Sequence, residues 1–126
     1  MGEVPDLIEK SKHALVLAQK LHEDGFSPDV ASRAYYCMFY AAQALLKLHG
    51  IKAVKHSGVE AQLGYHFSRT GKIAPKYHKM LKRARILRED ADYAVGIPIS
   101  QSQAEQLISE CEEFLKEMVR LIGIGI

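Results

Sequence analysis

The chain has 126 residues, of which 48% are hydrophobic and 25% are charged, and its formal net charge at pH 7 is +2. These values are typical of one globular domain that needs no disulfide bonds, so we expect a single domain over residues 1–126. No segment resembles a signal peptide, and the longest nearly uncharged run, 34–46, is too short to cross a membrane. We therefore expect a cytoplasmic protein without membrane contact.

Apolar residues recur at steps of three and four along most of the chain, which predicts helices. The first helix is predicted from Pro5 to Leu21. The second starts at about Ser27, with Ser27 as its N-cap and Pro28 at its first helical position, and Gly50 closes it.

Three further helices are predicted in the second half of the chain. A short third helix starts at about Ser57, Pro75 opens the fourth, and either Ser100 or Ser102 caps the fifth. No stretch alternates with a period of two between turn signals, as a half-buried strand would. The predicted fold is therefore all-α, an up-and-down bundle of four to five helices.

The second helix is apolar almost all round, which predicts a central place in the bundle. One narrow strip on it is polar-tipped and consists of Arg33, Tyr36, Tyr40, Gln43 and Lys47. An arginine beside two tyrosines can hold a phosphate while the rings stack on a base. The alternative is structural, with the tyrosine rings in the core and Arg33 reaching solvent.

Charge is unevenly distributed along the chain. No acidic residue occurs between Glu60 and Glu89, whereas the last helix is rich in glutamate. The basic residues of that interval are Arg69, Lys72, Lys76, Lys79, Lys82, Arg83, Arg85 and Arg88. This asymmetry predicts a polyanionic ligand or an acidic partner surface, unless the basic face pairs with the acidic last helix of the same bundle.

The fourth helix places a cation on its apolar face. Arg88 follows Ala84 by one turn and Leu81 by two, with Asp92 one turn later and Tyr93 beside it. One interpretation is a buried Arg88–Asp92 pair that fixes the end of the helix. The other is that Arg88 faces a groove or a second subunit and binds a phosphate through two parallel hydrogen bonds.

The segment KHSG precedes the third helix. Backbone N–H groups at a helix start, next to Lys55 and His56, can form an anion site, and Ser57 can cap the helix. A cap without a ligand site is the structural alternative.

Cys37 and Cys111 both lie on apolar helix faces, so we expect two reduced core thiols. The cysteines and histidines show no metal-ligand spacing, and neither a metal site nor a cofactor is expected.

The segments ASRAYYCMFYAAQALLKLHG, KHSG and ILREDADY occur in this order, and together they resemble the HEPN family (higher eukaryotes and prokaryotes nucleotide-binding domain). The chain is most similar to the small stand-alone archaeal and bacterial branch. The resemblance implies a HEPN-like bundle of four or five helices and a homodimer. It also implies a minimal nucleotidyltransferase as partner, in a toxin–antitoxin-like two-component system that binds nucleotide or RNA. The candidate binding residues are Arg33, Tyr36, Tyr40, Lys55, His56, Ser57, Arg88, Asp92 and Tyr93.

Ribonuclease members of this family carry an arginine, a polar residue directly after it, and a histidine a few residues later. Arg88 and Glu89 match the first two, but the histidine position falls on Tyr93 or just after it. A phenol with an ordinary pKa near 10 is a poor general acid or base at neutral pH. We therefore expect a binding protein. The alternatives are a metal-independent ribonuclease that uses Arg88 with Tyr93 or His56, and a purely structural subunit.

Overall fold

The computed structural model describes residues 2–53, 55–93 and 99–123, and the backbone alone at residues 92 and 93. Five α-helices and one π-helical turn make up the fold: α1 Glu3–Glu23, α2 Ser27–Leu48, α3 His56–Leu63, the π turn Gly64–Ser68, α4 Pro75–Tyr93 and α5 Gln101–Ile122. The described ranges contain no strand, so the predicted all-α fold is confirmed.

Helix α2 is the central element of the bundle and packs against α1, α3, α4 and α5. Small residues such as Ala31, Ala34 and Ala41 are fully buried on it, which allows the neighbouring helices to approach closely. Larger buried side chains, among them Met38 and Leu45, fill the space between the helices. Burying each large apolar side chain contributes roughly 1.5–3 kcal/mol, so the apolar character of α2 stabilises the whole bundle.

The two cysteines lie where α1, α2 and α5 meet. Both thiols are unoxidised and buried, as predicted. The Ser11 hydroxyl of α1 donates a hydrogen bond to the Cys37 carbonyl oxygen at 2.7 Å. The Cys111 thiol of α5 donates one to the Ala34 carbonyl oxygen at 3.2 Å. These contacts satisfy polar groups that would otherwise be unpaired in the core.

The predicted start of α2 is wrong by one residue. Phe26 is the N-cap and Ser27 is the first helical residue, so Pro28 is the second. The chain reverses at Gly25, whose φ is +84°, and the Phe26 amide then donates to the Leu21 carbonyl oxygen at 2.8 Å. Because the Phe26 carbonyl already accepts from Asp29 at 3.0 Å, Ser27 is drawn into the helix and buried.

The predicted cap of α3 is also wrong. The helix starts at His56, and Lys55 is its N-cap with extended backbone. The Lys55 carbonyl oxygen accepts from the Val59 amide at 3.0 Å, so helical bonding begins before Ser57. Ser57 therefore lies in the first turn, where its side chain makes no cap hydrogen bond.

The cap of α5 agrees with one of the two predicted alternatives. The Gln103 amide donates to the Ser100 hydroxyl oxygen at 3.1 Å, and the Ser100 amide donates to the Gln103 side-chain oxygen at 2.9 Å. This reciprocal pair is a capping box, which satisfies two backbone donors at the helix start.

Candidate functional site

Arg88 of α4 lies over two tyrosine rings of α2. Its guanidinium carbon is 5.6 Å from the ring centroid of buried Tyr35 and 5.3 Å from that of half-buried Tyr36. A guanidinium at this range from an aromatic face is attracted by the ring, by roughly 0.5–2 kcal/mol. The aromatic residues of α2 therefore explain how a half-buried cation is accommodated on the apolar face of α4.

His56, at the start of α3, packs on the same aromatic surface. Its ring centroid is 5.3 Å from that of Tyr35, 5.5 Å from that of Tyr36 and 4.7 Å from that of Phe39. Burial, with the positive charge of Arg88 adding to it, lowers the pKa of His56 below its ordinary value of 6.5. At neutral pH the imidazole is therefore uncharged and offers one donor and one acceptor. We call Arg88, Tyr35, Tyr36 and His56 the Arg88–His56 site.

A half-buried ion pair fixes α3 relative to α4 and thereby His56 relative to Arg88. The Arg85 Nε donates to Glu60 Oε1 at 2.7 Å, and the same guanidinium donates to Glu89 Oε1 at 3.1 Å. These two carboxylates raise the pKa of Arg85. Glu89, which the sequence aligns with the polar residue after the motif arginine, thus binds the neighbouring Arg85.

Tyr35 is the buried floor of the site. Burial, with the nearby Glu60 carboxylate adding to it, raises the pKa of Tyr35 to about 12. The phenol therefore stays protonated at neutral pH, and its function at the site is to present an aromatic ring.

An open cavity of about 560 Å³ adjoins the site. Its lining residues are His56, Ser57, Glu60, Ala61, His78, Arg85 and Glu89. Lys55 is exposed at the start of α3, directly before the first of these. The cavity is therefore bordered by the helix start that the KHSG segment predicted as an anion site.

The structure divides the predicted polar strip of α2 between different surroundings. Tyr36 belongs to the Arg88–His56 site, whereas exposed Arg33 and half-buried Tyr40 line a separate groove of about 490 Å³ against α1. Gln43 donates to the Ala53 carbonyl oxygen at 3.4 Å, and Lys47 pairs with Glu3 at 3.5 Å. The strip therefore does not act as one surface, because α1 and α3 cover different parts of it.

Part of the basic run pairs within the bundle, as its structural alternative predicted. Lys76 and Arg83 of α4 form ion pairs with glutamates of α5, and Arg85 pairs with Glu60 of α3. Arg69 packs on an aromatic ring instead, with its guanidinium carbon 4.3 Å from the Tyr65 centroid. Carboxylates of α3 and α5 therefore offset part of the positive charge of this run.

Several predictions fall on side chains that the structure does not describe. The Arg88–Asp92 pair and the role assigned to Tyr93 both lie outside the described side chains.

Within the described residues, no group of three or more His, Cys, Asp or Glu residues is arranged to hold a metal ion. A membrane-spanning helix, long and apolar enough for a bilayer, is likewise absent from the described part of the chain.

Sequence reasoning missed Tyr35 as a site residue and Phe39 as a ring that His56 contacts. Both lie on the apolar face of α2, where an aromatic residue has the same spacing whether it packs in the core or borders a site. Their contacts with His56 come from another helix, so no local pattern in α2 marks them.

Comparison with known proteins identifies the family of this chain. The sequence model of the HEPN domain matches residues 4–122. The chain belongs to the HEPN domain family. The resemblance of its three ordered segments is therefore confirmed, and the family assignment covers almost the whole chain.

Two relatives of this HEPN domain come from Methanocaldococcus jannaschii. Putative toxin MJ0605 is 32% identical over 120 residues, which cover 95% of this chain and 89% of the relative. Putative toxin MJ0142 is 33% identical over 115 residues, which cover 91% of this chain and 78% of the relative. The crystal structure of ST0689, an archaeal HEPN homologue, matches with a TM-score of 0.72 and 21% identity, covering 97% of this chain and 99% of that one. This structural match supports the HEPN fold.

In this HEPN domain, the arginine aligned with the ribonuclease motif contacts the same aromatic rings as an imidazole from a different helix. The motif would place a histidine after Arg88 in α4, but no histidine follows His78 in the sequence. His56 of α3 instead packs against Tyr35 and Tyr36, the same two rings over which Arg88 lies. An arginine and a histidine thus meet on the surface of α2.

Proposed function

We propose that this HEPN domain binds a nucleotide or RNA at the Arg88–His56 site. The observation that carries the proposal is the position of the Arg88 guanidinium, over two tyrosine rings and close to an uncharged imidazole. We further propose that the protein is a homodimer and acts with a minimal nucleotidyltransferase in a toxin–antitoxin-like system. The two relatives named as putative toxins support the toxin-like part of this proposal.

The residues of the site match the parts of a nucleotide. A guanidinium binds phosphate oxygens through parallel N–H bonds, which an ammonium group cannot do. The half-buried ring of Tyr36 offers an aromatic surface for a base. Neutral His56 can bond a base edge or a 2′-hydroxyl, and Lys55 with the start of α3 adds positive potential.

Replacement of Arg88 tests this assignment. We expect Arg88→Ala to weaken the binding of a fluorescent oligoribonucleotide at least about tenfold, because charge-assisted hydrogen bonds contribute roughly 1.5–3 kcal/mol. Arg88→Lys should restore only part of the affinity, since it keeps the charge but loses the planar donor pair. Fluorescence anisotropy gives the affinities, and circular dichroism with thermal unfolding verifies the fold.

Arg120→Ala is the matched control, because Arg120 is an exposed arginine that pairs with Glu117 of its own helix. It should bind RNA as the wild type does. An Arg88→Ala protein that is folded and binds RNA with wild-type affinity would refute the proposed site. If Arg88→Ala unfolds the bundle and the wild type binds no nucleotide, the structural interpretation of Arg88 is correct.

The proposed assembly has separate tests. Sedimentation equilibrium should give twice the chain mass of 14.1 kDa. If a nucleotidyltransferase gene adjoins this one, co-expression and affinity purification should recover both products in one complex. A monomer at micromolar concentration, or a nucleotidyltransferase that does not copurify, would contradict the corresponding part of the proposal.

A metal-independent ribonuclease is the second candidate, and the proximity of His56 to Arg88 favours it. A neutral imidazole can take the proton of an RNA 2′-hydroxyl as that oxygen attacks the adjacent phosphorus. The bond from phosphorus to the 5′-oxygen then breaks, and the imidazolium returns the proton to this leaving oxygen. Arg88 would stabilise the additional negative charge on the phosphoryl oxygens.

Incubation with RNA in the presence of a chelator tests the second candidate. If His56 is the base, His56→Gln should abolish cleavage and Tyr93→Phe should retain it. The reverse pattern would assign the role to Tyr93. The absence of cleavage by the wild type at high protein concentration would eliminate the ribonuclease hypothesis and leave binding.

A further inference from the structure

A second aromatic and basic surface lies at the far end of the helix that carries His56. Tyr65 is 51% exposed, and the Arg69 guanidinium carbon lies 4.3 Å from its ring centroid. The ring of His66 is beside it, with the two ring centroids 4.9 Å apart. We call Tyr65, His66 and Arg69 the Tyr65 platform.

The backbone of the π turn holds this platform in place. The Arg69 amide donates to the Gly64 carbonyl oxygen at 2.8 Å, which closes the wide turn. The Arg69 Nε donates to the Tyr65 carbonyl oxygen at 3.3 Å, and the Thr70 hydroxyl donates to the His66 carbonyl oxygen at 2.7 Å. The arginine is therefore positioned on the ring before any ligand arrives. Single π turns inside helices occur frequently at functional sites.

The sequence around the platform is rich in basic residues. It lies in the interval between Glu60 and Glu89 that contains no acidic residue. Among the described contacts of this interval, Lys76, Arg83 and Arg85 form ion pairs, and exposed Lys72 packs its ammonium 5.6 Å from the Phe67 ring centroid. An arginine has five N–H donors, and the described contacts of Arg69 use only Nε. Donors for a phosphate therefore remain at its terminal nitrogens.

We propose that the Tyr65 platform is a second contact site for single-stranded RNA, in which an unpaired base stacks on Tyr65 and Arg69 binds a neighbouring phosphate. This inference rests on the proposed RNA binding at the Arg88–His56 site and extends it to a longer ligand. An exposed ring with an arginine stacked on it suits unpaired bases, because every base has a flat face. A duplex would keep its bases stacked on one another.

The distance between the two sites indicates the length of RNA required. His56 is the first residue of the continuous α3 and π-turn segment, and Tyr65 follows it by nine residues. At roughly 1.5 Å of rise per residue they are about 13 Å apart along it. Stacked nucleotides advance about 3.4 Å along a strand, so about four nucleotides reach from one site to the other. A mononucleotide is too short to contact both.

A tryptophan at the platform reports stacking directly. The sequence contains no tryptophan, so Tyr65→Trp introduces a single emitting indole. We expect a single-stranded octaribonucleotide to quench this emission, and an RNA duplex of equal length to leave it unchanged. Phe26→Trp is the matched control, because Phe26 is 54% exposed in the α1–α2 connection. Its emission should not respond to RNA.

Affinity measurements supply the second readout. Tyr65→Ala should weaken octaribonucleotide binding about fivefold to a hundredfold, as expected for the loss of one stacked base. It should leave the binding of a mononucleotide unchanged. Arg69→Gln should reduce the slope of log affinity against log salt concentration by about 0.7, the value for one phosphate contact on a single strand. Because Tyr65 and Arg69 are exposed, circular dichroism should show a wild-type fold for both variants.

The outcomes separate this inference from the proposed function. If Arg88→Ala weakens RNA binding but the tryptophan is not quenched and Tyr65→Ala binds as the wild type does, the platform is refuted and the Arg88–His56 site stands. If Tyr65→Ala weakens binding and Arg88→Ala does not, the platform stands and the proposed site fails. A wild-type protein that binds no RNA would refute both.

Discussion

The uncharged state of His56 makes stability depend on pH. Because burial and Arg88 lower its pKa in the folded protein, the unfolded chain binds a proton on this residue more readily. The free energy of unfolding should therefore fall as the pH drops below about 6.5, the ordinary histidine pKa. His56→Gln should remove this component, so the stability difference between the wild type and the variant should change between pH 7.5 and pH 5.5. Urea unfolding at the two pH values measures it.

A histidine outside the site provides the comparison. His13 is exposed on α1, so His13→Gln removes an imidazole without changing the Arg88–His56 site. This variant should keep the wild-type pH dependence of stability. Equal pH dependence in the wild type and in His56→Gln would contradict the assignment of the effect to His56.

At the level of single residues, the sequence indicated which side chain was unusual but not what it contacts. Arg88 was visible because a cation interrupts an apolar face with helical spacing. Its aromatic neighbours, Tyr35 and Tyr36, lie on another helix and are brought to it by tertiary packing. His56 was identified in a different context, beside a helix start. Only the packing of α3 and α4 on α2 shows that these features form one site.

At the level of the helices, a local side-chain cap sets the start of α5. For α5 the sequence offered Ser100 and Ser102 as caps, and the structure selects Ser100. We expect Ser100→Ala to destabilise the protein by about 1 kcal/mol, because the Gln103 amide loses its acceptor. Ser102 lies two residues after Ser100 and is exposed, so Ser102→Ala should change stability by less than about half of that. Chemical denaturation of both variants measures the difference, and equal effects would contradict the capping box.

The π turn was not predicted, and it begins at a glycine. A Cβ atom at Gly64 would lie 2.8 Å from the Nε2 of His78, so an alanine there must displace that imidazole. The backbone of Gly64 is otherwise right-handed helical, with φ at −62°, where alanine is favoured by about 1 kcal/mol. We therefore expect Gly64→Ala to be neutral or destabilising in the wild type.

A double-mutant cycle isolates this contact. In a His78→Ala background the obstructing ring is gone, and Gly64→Ala should stabilise the protein by about 0.5–1 kcal/mol. Urea unfolding midpoints of the four proteins give the coupling. The same effect of Gly64→Ala in both backgrounds would show that His78 does not restrict this position.

Helix existence was predictable here, and so were the starts of α4 and α5, but the starts of α2 and α3 were not. The amphipathic stripes of α1, α2, α4 and α5 extend over several turns and identify each helix. The start of α2 depends on one backbone turn at Gly25, and the start of α3 on one carbonyl of Lys55. Such single hydrogen bonds leave no periodic signal. The π turn continues α3 through Gly64, Tyr65 and His66, residues that the sequence also permits in an ordinary helix or a loop.

At the scale of the molecule, ion pairs offset the positive charge of α4 on the side that packs against α5. Lys76 and Arg83, on the side of α4 that faces α5, form ion pairs with glutamates of α5. Exposed pairs contribute little to stability, typically below about 1 kcal/mol. They do, however, neutralise one side of α4. On the α3 side Arg85 pairs in the same way with Glu60, so part of the basic run is paired within the bundle on both sides of α4.

The reaction rates of the two buried thiols can show whether the bundle unfolds as one cooperative unit. Cys37 and Cys111 lie on different helices, and both side chains are fully buried. Burial also raises the pKa of Cys111, which disfavours its reactive thiolate. A thiol reagent can therefore reach these side chains only when the contact between α2 and α5 opens. We expect both cysteines to react at least about a thousandfold more slowly than in guanidinium chloride, because unfolded fractions of native domains are about 10⁻³ or lower.

Single-cysteine variants, Cys37→Ala and Cys111→Ala, give the rate of each thiol separately, with alkylation followed by mass spectrometry. The two rates should be similar if α2 and α5 separate only when the whole domain unfolds. Ser102→Cys, at an exposed position, should react at once and calibrates the reagent. A much faster reaction at Cys111 than at Cys37 would show that α5 detaches independently of the rest. The bundle would then consist of two cooperative units, with α2 and its contacts to α1, α3 and α4 as the more stable one.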